Sequence, residues 1–229
     1  MFPNNRSLLV LSDAEPGTNQ FSCYLAASKL DSGAKVVFIE TNTPPDEVVF
    51  HISNYGIDTS TLESDGRFAI VDACPHSMPV NDPHVVKVTD PGRLADIFEA
   101  ITVAVNKLGG KDVELVFDSL TPLCSSHDTA SVARFFKDLS TIARFSGSLT
   151  CAVDRSAIGE EQSASMASVA DGLVEMTMAG NLRWYVRLKH LKGTTVNPRW
   201  VPLDMEREPP VGTALMWRRG SPVEADFLE

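Results

Sequence analysis

The sequence predicts an α/β fold with a mostly parallel central sheet, flanked by helices and ending in antiparallel strands. Through about two thirds of the chain, short apolar segments rich in Val, Ile and Leu alternate with segments of helical periodicity, the order typical of parallel α/β sheets. The last third carries strand-like segments with alternating polar and apolar residues, which favours antiparallel pairing at one edge. A chain of 229 residues is long enough for one domain with a full core.

The first half of the chain is predicted to contain three strands and two helices. The strands are expected at residues 8–11, 35–40 and 68–71, and the first helix at 21–30 after a turn-rich stretch at 13–19. A second helix begins at Pro44 and Pro45, because proline suits a first helical turn and the acids Asp46 and Glu47 complement its positive end. Asn54 to Gly56 ends that helix.

The second half continues the alternation before the pattern changes. A helix is predicted at 93–108, stopped by two glycines, followed by a strand at 113–117, a helix at 129–145 and a strand at 149–153. An acidic, Ser-rich stretch at 156–168 resembles a hinge and leads to strands at 172–176, 182–191 and 199–203. Residues 209–229 lack periodicity, so we expect one domain at 1–208 and a C-terminal tail or docking segment at 209–229.

Composition excludes several classes of protein. The formal net charge is −10, whereas a general nucleic-acid binder or a protein of anionic membranes needs a basic surface. None of the four cysteines has metal-ligand spacing, which favours buried, reduced thiols. The first residues are too polar for a signal peptide, and the apolar runs are far shorter than a membrane span. We therefore expect a cytoplasmic protein.

Open parallel sheets bind ligands at the carboxyl ends of their strands, which directs attention to the first strand-to-helix turn. This turn contains Pro16, Gly17 and Thr18 but neither Lys nor Arg. A phosphate-binding loop uses glycines to point backbone N–H groups inward, a Lys for the β- and γ-phosphates and a hydroxyl for Mg²⁺. The acids Asp13 and Glu15 would instead repel a phosphate.

The turn nevertheless resembles the GxPGTGKTT loop of the KaiC-like branch of RecA-type ATPases. Pro16, Gly17 and Thr18 match, as does Ser22 at the second hydroxyl position, whereas Ala14, Asn19, Gln20 and Phe21 replace Gly, Gly, Lys and Thr. Further passages between residues 7 and 205 are similar to that family in the same order: 37–47, 55–58, 66–73, 115–120, 170–176 and 187–194. The order and spacing of these passages are more specific than any one of them.

The resemblance implies a RecA-like three-layer fold with ATP and Mg²⁺ as ligands. It places nucleotide contacts at Glu15, Pro16, Gly17, Thr18, Asn19, Gln20, Phe21 and Ser22. By the same resemblance, Asp118 and Ser22 would hold Mg²⁺, Glu40 would act as general base, and Lys192 would reach the γ-phosphate of a neighbouring subunit. Each has a structural alternative: a strand-end capping group for Asp118 and Glu40, and an exposed strand residue for Lys192.

The substitutions in the loop decide which functions remain open. Loss of the Lys removes a charge-assisted contact worth on the order of 1.5–3 kcal/mol, and Phe21 places a ring where a hydroxyl ligand is expected. This favours a non-catalytic regulatory or scaffolding protein that acts through protein–protein contacts, in a homo- or hetero-oligomer. The alternatives are a weak ATP binder or slow ATPase, and a subunit that donates Lys192 to the site of an active RecA-like partner. DNA binding is disfavoured by the charge.

Overall fold

The computed structural model describes residues 5–13, 15–78, 81–180 and 182–205, with Glu15 and Pro16 described by their backbone only. These residues form one nine-stranded sheet with helices on both faces. The predicted tail at 209–229, and the boundary before it, lie outside the described residues.

The sheet has the order β4-β3-β2-β5-β6-β1-β7-β8-β9. Its strands are β1 (Ser7–Ser12), β2 (Lys35–Glu40), β3 (Phe68–Asp72), β4 (Val85–Lys87), β5 (Val113–Asp118), β6 (Gly147–Asp154), β7 (Gly172–Met178), β8 (Trp184–Leu191) and β9 (Val201–Leu203). The strands from β4 to β7 in this order are all parallel, whereas β8 pairs antiparallel with β7 and β9. The predicted α/β class, with antiparallel strands at the C-terminal edge, is confirmed, and the architecture is consistent with a RecA-like fold.

Helices cover both faces of this sheet. They are α1 (Glu15–Asp31), α2 (Pro45–Ser53), α3 (Thr59–Ser64), α4 (Leu94–Lys107), α5 (Thr121–Ser126), α6 (Thr129–Ser146) and α7 (Glu160–Val169), with a 3₁₀ turn at Arg155–Ala157. Along β2, Val37 and Ile39 belong to the core shared with α4 and α6, whereas Val36 and Phe38 belong to the core shared with α1 and α2. This alternation is expected of a strand buried on both faces.

Two predicted loops are helical, so those predictions were wrong. Helix α1 begins at Glu15 rather than near Phe21, because proline fits a first helical turn and the buried side of the helix already includes Thr18. The hinge predicted at 156–168 is largely α7, which buries Met166 completely. Glu160 and Glu161 lie in its first turn, where acids favour helix formation.

The short elements α3, β4 and α5 were not predicted. Helices α3 and α5 have six residues each, and β4 has three, so none is long enough to display a periodic pattern. Among the described residues, helices with the length and apolar character that a bilayer crossing demands are absent.

Candidate functional site at the carboxyl edge of the sheet

Acidic residues close several neighbouring parallel strands at one edge of the sheet. The last residues of β2, β3, β5 and β6 are Glu40, Asp72, Asp118 and Asp154, and all four side chains are buried. The strand register places Glu40 directly beside Asp118 on one side and Asp72 on the other. The structure thus brings together Glu40 and Asp118, two of the predicted site residues, where parallel sheets bind ligands.

Glu40 is fully buried and strongly hydrogen-bonded on one oxygen. Its Oε1 accepts the backbone N–H groups of Thr41, Asn42 and Thr43 at 2.8, 2.6 and 2.8 Å. Its Oε2 is buried without a hydrogen-bond partner among the described residues. Burial, and then the charge of Asp118, raise the pKa of Glu40 to about 9 against the opposing effect of the three backbone hydrogen bonds. The raised pKa favours the protonated form of Glu40, and the protonated form of a carboxyl does not act as a general base.

Asp118 receives a hydrogen bond from α1. The side-chain amide of Asn19 donates from Nδ2 to Asp118 Oδ2 at 2.7 Å and lies 3.5 Å from Thr43 Oγ1. Cys23 follows one helical turn later, and burial, with the charges of Asp118 and Glu40, raises the pKa of its thiol well above its usual value. One side of α1 therefore faces the Glu40–Asp118 pair. The Asn19 amide therefore occupies an oxygen of Asp118 that could otherwise bind a cation.

The residues that would form a phosphate loop belong to the first two turns of α1. Thr18, Phe21 and Ser22 are buried, and Phe21 belongs to the apolar core on the α1 side of the sheet. Gly17 is covered by the ring of Trp184 from β8: a Cβ placed on Gly17 would lie 2.0 Å from Trp184 Cη2. Sequence analysis did not identify Trp184 as part of this region, because no local pattern connects it to Gly17.

A triphosphate does not fit this arrangement. In a helix that begins at Glu15, the N–H groups from Asn19 onward bond to carbonyls one turn earlier, so they are not available to phosphate oxygens. The side chain of Gln20, at the position of the family's Lys, acts to lower the pKa of Tyr55, so it lies on the side of α1 that faces Tyr55. Over the described part of the chain, no group of three or more His, Cys, Asp or Glu side chains could hold a metal ion. The residues present at this turn therefore do not fit Mg·ATP.

Lys192 lies at the opposite, amino-terminal edge of the sheet. Its Nζ is 3.7 Å from Oδ1 of Asp171, the residue that precedes β7. Asp171 also accepts hydrogen bonds from the backbone and hydroxyl of Ser7 and pairs with Arg144 at 3.2 Å. Burial acts to raise the pKa of Asp171, but the Ser7 hydrogen bonds and the two cations hold it below its ordinary value. Lys192 is thus remote from the Asp118 of its own chain, and its side chain is about half exposed.

Another buried carboxylate, which sequence analysis missed, joins the C-terminal strands. Glu175 on β7 pairs with Arg155, Arg187 and Lys189 at 2.7, 2.5 and 2.9 Å. Burial acts to raise the pKa of Glu175, yet the hydrogen bonds from these three cations lower it to about 2. The alternation around Trp184 to Leu188 indicates only an edge strand, and nothing in it identifies Glu175 as the partner of Arg187 and Lys189.

Comparison with known proteins supports membership of the RecA-like P-loop superfamily. The chain is 27% identical to the circadian clock oscillator protein KaiC of Synechococcus elongatus over 133 residues, which are 58% of this chain and 24% of KaiC. It is 22% identical to the UPF0273 protein MJ1359 of Methanocaldococcus jannaschii over 217 residues, 87% of this chain and 85% of that protein. The chain therefore spans less than a quarter of the length of this KaiC.

The match to a protein family is more extensive than the match to KaiC. It covers residues 5–176, from the loop before β1 into β7, and so includes Glu40, Asp118 and all of α1. This is well over half of the chain, and the chain belongs to DUF7504, a family of unknown function.

Proposed function

We propose that this protein is a RecA-like regulatory or scaffolding protein that acts through protein–protein contacts and does not hydrolyse ATP. The observation that carries the proposal is the packing at the first turn of α1. The backbone is helical from Glu15, and the ring of Trp184 lies against Gly17. Both features take the place of the open glycine loop that binds a triphosphate in P-loop proteins.

The charges near the turn support the same proposal. No Lys or Arg occurs between residues 7 and 28, and a missing charge-assisted contact costs on the order of 1.5–3 kcal/mol of binding free energy. Catalysis of phosphoryl transfer loses more, because it depends mainly on stabilising charge in the transition state. The raised pKa of Glu40 disfavours the ionised form that a general base requires.

The relatives and the composition support proposals about the assembly, the compartment and the partners of this protein. KaiC is named a circadian clock oscillator protein, and RecA-type domains often assemble into rings, so we propose that the chain works within a homo- or hetero-oligomer. The four cysteines are all buried free thiols, which suits a reducing cytoplasm. The net charge of −10 argues against nucleic acid or an anionic membrane as the partner.

A second candidate is a weak ATP binder or slow ATPase. It is favoured by one observation: Glu40 and Asp118 remain side by side at the carboxyl edge, with Glu40 Oε2 unpartnered among the described residues. In this version Ser22 and Asp118 would approach Mg²⁺ after α1 had rearranged. A related version places the active site on a RecA-like partner and uses Lys192 in trans.

Titration calorimetry with Mg·ATP separates the two candidates. Binding in the millimolar range or weaker, with no phosphate release, supports the non-catalytic protein. Low-micromolar binding with turnover by the purified chain overturns it. The D118N variant serves as the control, since any binding through a Mg²⁺ site at Asp118 should weaken in it.

The trans version requires a mixing experiment with a candidate RecA-like partner. If Lys192 completes the site of the partner, the wild-type chain stimulates ATP hydrolysis and K192A does not. The matched control is K189A, which removes an equally exposed lysine from the same region. Equal stimulation by both variants would exclude a specific role for Lys192.

A further inference from the structure

The Trp184–Gly17 contact joins two distant parts of the chain. Trp184 is the first residue of β8, where it pairs with Met178 of β7 and Leu203 of β9. Its partly buried ring packs with the core on the α1 side of the sheet. From there the ring reaches the first turn of α1, so closely that a Cβ on Gly17 would lie 2.0 to 2.6 Å from three of its carbons.

This closeness gives the glycine a role different from that of a phosphate-loop glycine. Gly17 has an unremarkable backbone, since it is not among the glycines with positive φ. In such a helical position alanine is favoured over glycine by roughly 0.5–1 kcal/mol. The glycine is therefore explained by the indole that lies on it and not by its backbone conformation.

We propose that the Trp184–Gly17 contact is a conformational constraint: it holds the first turn of α1 helical and keeps that turn from opening into a loop. The next turn contains Asn19, whose amide is hydrogen-bonded to Asp118. The Trp184–Gly17 contact therefore also holds α1 against the acidic edge of the sheet. This inference rests on the proposed function, because it describes how that same site is kept closed.

Hydrogen exchange measured on the full chain tests the contact directly. In W184A, the amides of residues 19–22 should exchange at least about ten-fold faster than in the wild type, because local opening no longer displaces a packed ring. The matched control is W200A, which removes a tryptophan stacked on Arg187 at 4.4 Å and should leave these amides protected. Unchanged exchange in W184A, or an equal increase in W200A, would overturn the proposal.

A thermal double-mutant cycle provides a second readout that does not depend on W184A exchange. G17A should lower Tm by about 4 °C or more, because the new Cβ displaces the indole. In the W184A background the same substitution should leave Tm unchanged or raise it, because the space is then open and alanine favours the helix. An increase in Tm for G17A alone contradicts the contact.

The experiments on the Trp184–Gly17 contact and the test of the proposed function can fail independently. Low-micromolar binding of Mg·ATP by the wild-type chain would overturn the non-catalytic role. The exchange rates and the cycle involve no nucleotide, so they test the contact whatever that titration shows.

Discussion

Asn19 donates a hydrogen bond to Asp118 over 2.7 Å, from the first turns of α1 to the end of β5. The two residues occupy positions that the KaiC-like resemblance assigned to a phosphate loop and a Mg²⁺ ligand. Here they bond to each other within one chain. The amide supplies a neutral donor to a buried carboxylate, which satisfies that oxygen without adding charge.

The first prediction concerns this hydrogen bond. Asn19→Ala should lower the free energy of unfolding by about 1–3 kcal/mol, because buried Asp118 loses one hydrogen-bond donor. Urea denaturation measures the change, with the exposed Asn54→Ala as the control. A loss in N19A no larger than that in N54A would show that the hydrogen bond contributes little.

The second prediction follows from the raised pKa of Glu40. The folded state keeps the Glu40 proton up to about pH 9, whereas the unfolded chain releases it near pH 4.3. Between these values the folded state binds more protons, so stability declines as pH rises, by up to about 1.4 kcal/mol per pH unit from this group. Glu40→Gln should remove that slope and become more stable relative to the wild type as pH rises.

Urea midpoints at pH 5.5, 7 and 8.5 check this expectation. The exposed Glu47→Gln is the control and should retain the slope of the wild type. If the urea midpoints of E40Q and the wild type change equally with pH, Glu40 is ionised in the folded protein.

How far the sequence could predict this protein depended on whether a signal was local. Valine- and isoleucine-rich runs located β2 and β5, and with them the edge position of Glu40 and Asp118, because strand burial leaves a local pattern. The start of α1 was misjudged, since Asp13, Pro16 and Gly17 have ordinary turn chemistry and only a partner far along the chain, Trp184, explains the glycine. The cations around Glu175 were missed for the same reason.

The third prediction concerns Glu175, whose pKa is lowered to about 2. Its contribution to stability is present above the unfolded pKa near 4.3 and is lost as pH falls toward 2. Glu175→Gln should lower the free energy of unfolding by about 1–3 kcal/mol at pH 7. This is less than the cost of breaking a fully buried ion pair, because the cations around Glu175 are partly exposed. It should also flatten the acid side of the Tm-versus-pH curve.

Thermal unfolding between pH 2.5 and 7 measures both effects. The exposed Glu99→Gln on α4 should match the wild type throughout. If E175Q keeps the acid dependence of the wild type, that dependence comes from other carboxylates.

The last prediction asks whether restoring a lysine restores nucleotide binding. Gln20→Lys places an ammonium at the family's position, but the N–H groups of residues 19–22 stay bonded within helix α1. We therefore expect Mg·ATP binding by Q20K to remain in the millimolar range or weaker, in titrations run beside the wild type. What distinguishes a phosphate site from this packed turn is an open backbone loop, rather than a single positive charge. Low-micromolar binding by Q20K would mean instead that the lost lysine alone separates this chain from an ATP-binding protein.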